Sequence, residues 1–205
     1  MLLLLTGDVQ IGKTRWLMDT AEKLSNAGIG CDGVIAPGVW NELEDGTFDK
    51  LGIDNYLLPE KTLIPFGRRL DLAVKEGTFN AESQAGKAQM KWHISDNAIT
   101  IVNDHFARII ARNDTISDSD APQHRILFVD ELGQLELLRG GGLTHALELL
   151  GRGPENIYEH AIVVARDKFG LPERTEELFA EAWGGCKRIT HSQETFDTWL
   201  GPLMK

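Results

Sequence analysis

Apolar residues along this chain follow two different rhythms, and the alternation between them predicts the architecture. Leu2 to Thr6, Arg125 to Asp130 and Ala161 to Ala165 are runs in which both faces of an extended segment are largely apolar. Such runs predict strands covered on each side, as in a parallel sheet between two helix layers. Asp32 to Ala36 and Lys187 to Thr190 predict two more strands. Between the strands the apolar spacing becomes helical. Trp16, Leu17, Thr20, Ala21 and Leu24 share one stripe of a helix from about Lys13 to Ala27, with Gly28 as its stop. Ala98, Ile99, Val102, Phe106, Ile109 and Ile110 form the inner face of a helix capped by Ser95 and running to about Arg112. Further helices are expected from Leu143 to Leu150, from Pro172 towards Gly184, and after a Ser192 cap.

Three stretches break this alternation. From Val39 to about Phe66, short apolar pieces are separated by Glu44-Asp45-Gly46, Asp54-Asn55 and Pro59-Glu60, which predicts a meander of short antiparallel strands. Arg68 to Gln89 is polar and weakly periodic and reads as a mobile loop, followed by a short strand at Lys91 to Ile94. Asn113 to His124 carries Asp114, Asp118 and Asp120 among serines and a proline and reads as a solvated loop rather than a cation site. The sum is an α/β fold, a mostly parallel sheet flanked by helices with a small inserted β-meander. One domain is expected over 1–205, with the insert at about 39–92.

Composition narrows the function without naming it. The 205 residues are 42% hydrophobic and 25% charged, ordinary for a globular chain, and the net charge of -10 suggests no surface for nucleic acid or anionic lipid. Cys31 and Cys186 lack metal-ligand spacing and are expected to be reduced thiols. The opening leucines have no positive residue before them and end at Gly7-Asp8, unlike a secretory h-region. No stretch approaches the ~18 consecutive apolar residues that suggest a membrane span, so a cytoplasmic protein is expected.

The chemistry begins at Gly7-Asp8-Val9-Gln10-Ile11-Gly12-Lys13-Thr14, which fits Gly-x-x-x-x-Gly-Lys-Thr between an apolar strand and an amphipathic helix. This is the pattern of a phosphate-binding loop, Walker A. Gly7 and Gly12 let successive N–H groups turn inward towards phosphates, and the helix N-terminus adds its dipole. Lys13 supplies positive charge to the β- and γ-phosphates, and the Thr14 hydroxyl suits Mg²⁺. Asp8 would repel a triphosphate, so it is expected to point away from the phosphates or to contact the attacking water.

A second motif, Ile126-Leu127-Phe128-Val129-Asp130-Glu131, delivers two carboxylates at the C-terminal end of an apolar strand, where open α/β sheets bind ligands. With the phosphate loop present it reads as Walker B. Asp130 is expected to hold a water of the Mg²⁺ shell and Glu131 to deprotonate a water for attack on the γ-phosphate. Such a pair implies an intervening strand, for which Ala161 to Ala165 is the natural occupant. Omitting the meander, the strand order becomes 2-3-4-1-5. Arg166 then follows the intervening strand as a candidate γ-phosphate sensor, and Arg68 and Arg69 are candidates for neutralising transition-state charge. For each arginine the competing reading is a surface ion pair with one of 31 acidic residues.

With both motifs in hand, the chain resembles the THEP-type, or cancer-related, P-loop nucleoside-triphosphatases. The likeness rests on the phosphate loop and on Val129-Asp130-Glu131-Leu132-Gly133-Gln134-Leu135-Glu136-Leu137, similar to the family's Asp-Glu-Ile-Gly-x-Met-Glu-Leu. It implies a RecA-like domain that hydrolyses several nucleoside triphosphates slowly with Mg²⁺ and has an undefined cellular role. The loop departs from the family's usual character at Asp8-Val9-Gln10-Ile11 and Arg15. A Mg²⁺-dependent nucleoside-triphosphatase acting on ATP and other triphosphates is therefore expected. The alternatives are a small-molecule or nucleotide kinase with Arg68 to Gln89 as acceptor lid, and a nucleotide-dependent switch acting on a protein partner. Nothing in the sequence indicates the oligomeric state.

Overall fold

The computed structural model describes residues 1–8, 10–90, 92–117 and 124–204. Val9, Asp118 and Asp120, and the first residue of the strand expected from Lys91, lie outside the described residues.

The five strands expected from the apolar runs are β1 (Leu2–Leu5), β2 (Gly30–Ile35), β7 (Arg125–Leu132), β8 (Tyr158–Ala165) and β9 (Cys186–Ile189). They pair in parallel in the order β2-β7-β8-β1-β9, which is the expected 2-3-4-1-5. Side-chain alternation explains why β1 is apolar throughout. Leu2 and Leu4 enter a core beneath α4 (Asp96–Asn113), α6 (Thr144–Arg152) and α7 (Leu171–Phe179). Leu3 and Leu5 enter the core on the other face, beneath α1 (Lys13–Asn26) and α8 (Gln193–Trp199). A polar residue at any of the four positions would have to be buried in one core or the other. Caps fall where the sequence places them: Ser95 accepts from Ala98 N at 3.4 Å and Ser192 from Thr195 N at 3.1 Å.

The meander is present and continues the same sheet. Strands β3 (Gly38–Glu42), β4 (Phe48–Leu58), β5 (Thr62–Arg69) and β6 (Trp92–Ile94) pair antiparallel in succession, and β4 joins β2 through Val34 opposite Leu57. The expected break at Asp54-Asn55 does not occur. A register shift beside Asp54 absorbs the irregularity, Asp54 N donates to Pro37 O at 2.9 Å, and Asn55 is buried.

Arg68 to Gln89 is also more regular than expected. Arg68 and Arg69 end β5, and the short helices α2 (Leu70–Lys75) and α3 (Gln84–Lys87) follow. Each is under two helical turns, too short for a 3.6-residue period to stand out from the sequence. The same reason conceals α5 (Gln134–Arg139). Among the described residues no helix is long and apolar enough to cross a membrane.

Candidate functional site

Loop, helix and the second carboxylate motif converge at the C-terminal ends of β1, β2 and β7. Gly7 and Gly12 have φ of 123° and 100°, a region in which an L side chain is strained, and Gly12 serves as the N-cap of α1. The first turn of α1 has no side-chain cap and no acidic residue, so its N–H groups and dipole face the loop unopposed. Lys13 Nζ donates to the carbonyls of Gly7 at 2.9 Å and Asp8 at 2.5 Å. Burial lowers the pKa of this ammonium, against the raising effect of Glu131 and Asp130. Asp8 is exposed.

A bulge explains how one strand presents two neighbouring carboxylates. Val129 pairs with Val163 and Leu132 with Ala165, so Asp130 and Glu131 together oppose the single residue Val164. Glu131 takes up the excess with a φ of 65°, unusual for a side-chain-bearing residue and frequent at functional sites. The two side chains consequently have different surroundings. Asp130 is 2% exposed, and its Oδ2 accepts from Thr14 Oγ1 and from Ala36 N, each at 3.0 Å. Its Oδ1 is buried with no hydrogen-bond partner among the described residues. Burial, then the adjacent Glu131 charge, push the Asp130 carboxyl well above the usual range. Glu131 turns towards solvent and accepts from Arg166 Nε at 3.1 Å and Nη2 at 2.6 Å.

Beside them lies a cavity of about 730 Å³, lined by Gln10 to Arg15 on one side and by Pro37, Gly38, Trp40, Lys50 and Trp92 on the other, while Asp130 lines a smaller neighbouring cavity. Glu131 and Arg166 line the larger one as well. The smaller cavity, of about 140 Å³, continues past Glu131 and Arg166 and reaches Asn55, whose Nδ2 is buried without a partner among the described residues.

The structure thus brings together the described loop residues, Asp130, Glu131 and Arg166. It does not bring Arg68 and Arg69 to them. Arg68 is held by Glu76 at 2.5 Å and Arg69 by Asp49 at 2.5 Å and Asp71 at 2.7 Å, and neither lines the large cavity. Asp114 is likewise paired, with Arg152 at 2.5 Å. The extended motif after Glu131 has a structural part: Leu135 and Leu137 are buried, and Glu136 accepts from Gly133 N at 3.0 Å and Leu143 N at 3.3 Å, which fixes the turn behind the carboxylates.

Trp40, Lys50 and Trp92 are the cavity residues that the sequence reading missed. A signal for part of this was available. The hairpin closes on Leu43 to Thr47, with Leu43 N donating to Thr47 O at 2.8 Å. Counting outward from Glu44-Asp45-Gly46 as a three-residue loop centred on Asp45 sets Trp40 directly across from Lys50, as observed. Trp92 carries no such signal, because it arrives from a strand remote in sequence.

No protein-family model matches the chain, and no curated protein does. Among solved structures, the solution structure of a human cancer-related nucleoside triphosphatase is similar, with a TM-score of 0.56 at 20% identity, covering 98% of this chain and 94% of that one. Over nearly its whole length, then, this chain shares the α/β fold of that structure, with an antiparallel section within its sheet.

Proposed function

We propose that this protein is a Mg²⁺-dependent nucleoside-triphosphatase that hydrolyses ATP and other nucleoside triphosphates to the diphosphate and phosphate. The observation that carries this reading is the bulge at Asp130-Glu131. It sets one carboxylate against Thr14 and a second into the cavity bordered by the phosphate loop.

The loop N–H groups and Lys13 bind the phosphates, and the N-terminus of α1 stabilises their charge. Thr14 Oγ1 and the unpartnered, buried Oδ1 of Asp130 are hard oxygen donors that fit Mg²⁺. Among the described residues no three His, Cys, Asp or Glu side chains gather as a metal site, which suits a cation that also takes ligands from the substrate's phosphates. Mg²⁺ held there would neutralise part of the phosphate charge. Glu131 accepts a proton from the attacking water, whose oxygen forms the new bond to the γ-phosphorus. The bond from that phosphorus to the bridging oxygen breaks, and its electron pair stays with the diphosphate. Arg166 orients Glu131 through its two hydrogen bonds and lines the same cavity as the phosphate loop, which supports its role as the sensor.

A phosphate-release assay with ATP, GTP, CTP and UTP, with and without Mg²⁺, tests the reading. Release with all four that requires Mg²⁺ is expected. If ATP binds but no phosphate appears, hydrolysis is wrong. A second reading, phosphoryl transfer to a small acceptor, is favoured by the 140 Å³ cavity beyond Glu131 and its unpartnered Asn55 amide. On that reading turnover would require an added hydroxyl or phosphate acceptor.

A further inference from the structure

Lys50 is a cation in an unusual position for so acidic a chain, which carries 31 acidic against 21 basic residues. Among the described residues no carboxylate forms an ion pair with it, whereas Arg68, Arg69, Arg112, Arg125, Arg152 and Arg166 all have one. It is half-buried on β4, opposite Trp40 of β3, with its ammonium 5.7 Å from the Trp40 ring centroid and 5.4 Å from that of Trp92. Two indole faces attract an ammonium and restrict where it points, but they leave its charge in place. All three side chains form the cavity wall that faces the phosphate loop.

A partly desolvated cation with no ion-pair partner among the described residues, lining the same cavity as an anion-binding loop, is completed by an anion in that cavity. Burial lowers the pKa of the Lys50 ammonium, and the charges of Glu131, Arg166 and Asp130 act on it in turn, which puts it within electrostatic reach of the catalytic carboxylates. Glu131 lines the same cavity but is paired with Arg166, so phosphates bound at the loop are the anions left to meet Lys50.

We propose that Lys50, braced between Trp40 and Trp92, is a second phosphate-binding cation that contacts the terminal phosphate of the bound triphosphate from the side opposite Lys13. The inference rests on the proposed triphosphate binding and deepens it. Lys50 takes the charge-neutralising role for which Arg68 and Arg69 were candidates. Its charge stabilises the oxygens of the γ-phosphoryl group as the bond to the bridging oxygen breaks, and it takes part in no proton transfer. A diphosphate lacks the group that Lys50 contacts, so Lys50 distinguishes triphosphate from diphosphate.

The experiment compares the intact chain with Lys50→Met, which keeps an unbranched side chain between the indoles, and Lys50→Arg, which keeps the charge. ATP and ADP affinities are measured by calorimetry with Mg²⁺, alongside kcat, KM and the melting temperature. In Lys50→Met the preference for ATP over ADP should fall about tenfold or more, the size of a lost charge-assisted hydrogen bond. ADP affinity should stay level and kcat should fall, with Lys50→Arg recovering part of both losses. An unchanged ATP-to-ADP ratio in Lys50→Met overturns the role of Lys50 and leaves the hydrolase reading standing. If the unaltered protein binds neither nucleotide, that reading falls and this inference falls with it. Should Lys50→Met fail to fold, Lys50→Gln is judged by the same ratio.

Discussion

Two aspartates stand on neighbouring central strands, both almost wholly removed from water, and their surroundings are opposite. Asp32 on β2 is 0% exposed and is saturated. It accepts from Arg112 at 2.9 and 2.7 Å, from Arg125 twice at 2.7 Å, and from the Tyr158 hydroxyl at 3.1 Å. Burial alone would raise its pKa, but the hydrogen bonds and charges of Arg112 and Arg125 win and hold it below the usual carboxylate range. Asp130 on β7 has no cationic hydrogen-bond partner, one oxygen without a partner among the described residues, and a raised pKa. Burial is the same in kind, so the difference lies in what was built around each group. A carboxylate surrounded by its own cations is complete and holds strands together, whereas one left short of positive charge is suited to receive it from outside.

The largest effect should come from breaking the saturated aspartate. Asp32→Ala leaves two arginines and a tyrosine hydroxyl facing a void. It should destabilise the fold by about 3–5 kcal/mol in urea unfolding, the range for removing one partner of a buried ion pair. A loss under about 1 kcal/mol would mean that Arg112 and Arg125 find solvent instead.

Next in size is the catalytic side of the comparison. Glu131→Gln should lower turnover by roughly 10²–10³-fold, as for loss of a general base, while ATP binding measured by calorimetry persists. Normal turnover in that variant would remove the general-base assignment. Lys13→Ala should weaken ATP binding itself by about tenfold or more, since it removes a charge-assisted contact to phosphate.

Asp130→Asn should sharpen the contrast most directly. It removes a buried charge that has no counter-cation, while the amide oxygen can still accept from Thr14 and Ala36. It should therefore raise stability by about 0.5–2 kcal/mol and abolish Mg²⁺-dependent turnover, a trade between stability and function. Equal destabilisation by Asp32→Asn and Asp130→Asn would contradict the comparison.

The smallest effect is a pH dependence. The folded pKa of Asp32 lies below its ordinary value of 3.8, so its stabilising contribution is present in full above that value and is lost as pH falls through the folded pKa. Stability of the unaltered protein should thus drop on acidification below about pH 4, and Asp32→Asn should flatten that part of the curve. An identical acid limb in both proteins would show that other carboxylates carry it.

The sequence by itself determined the parts whose physics is local or periodic. Runs such as Leu2 to Leu5 require cover on both faces, and the interval between glycines, lysine and threonine in the loop has meaning wherever it falls between a strand and a helix. Together with the carboxylate pair Asp130-Glu131 at the end of an apolar strand, those two facts were enough for the central strand order and for the approach of Thr14 to Asp130. Short range also sets the limit. Helices of under two turns, such as α2, α3 and α5, leave too few residues for a period, and the bulge at Asp130-Glu131 is visible only against the partner strand that it mismatches. Charge was the least legible property. Arg68, Arg69 and Lys50 are all cations of the inserted section, and nothing local says that the arginines are met by Glu76, Asp49 and Asp71 while the lysine lies against two indoles. Which charges are cancelled and which remain available depends on side chains brought together from distant strands, and only the tertiary structure decides that.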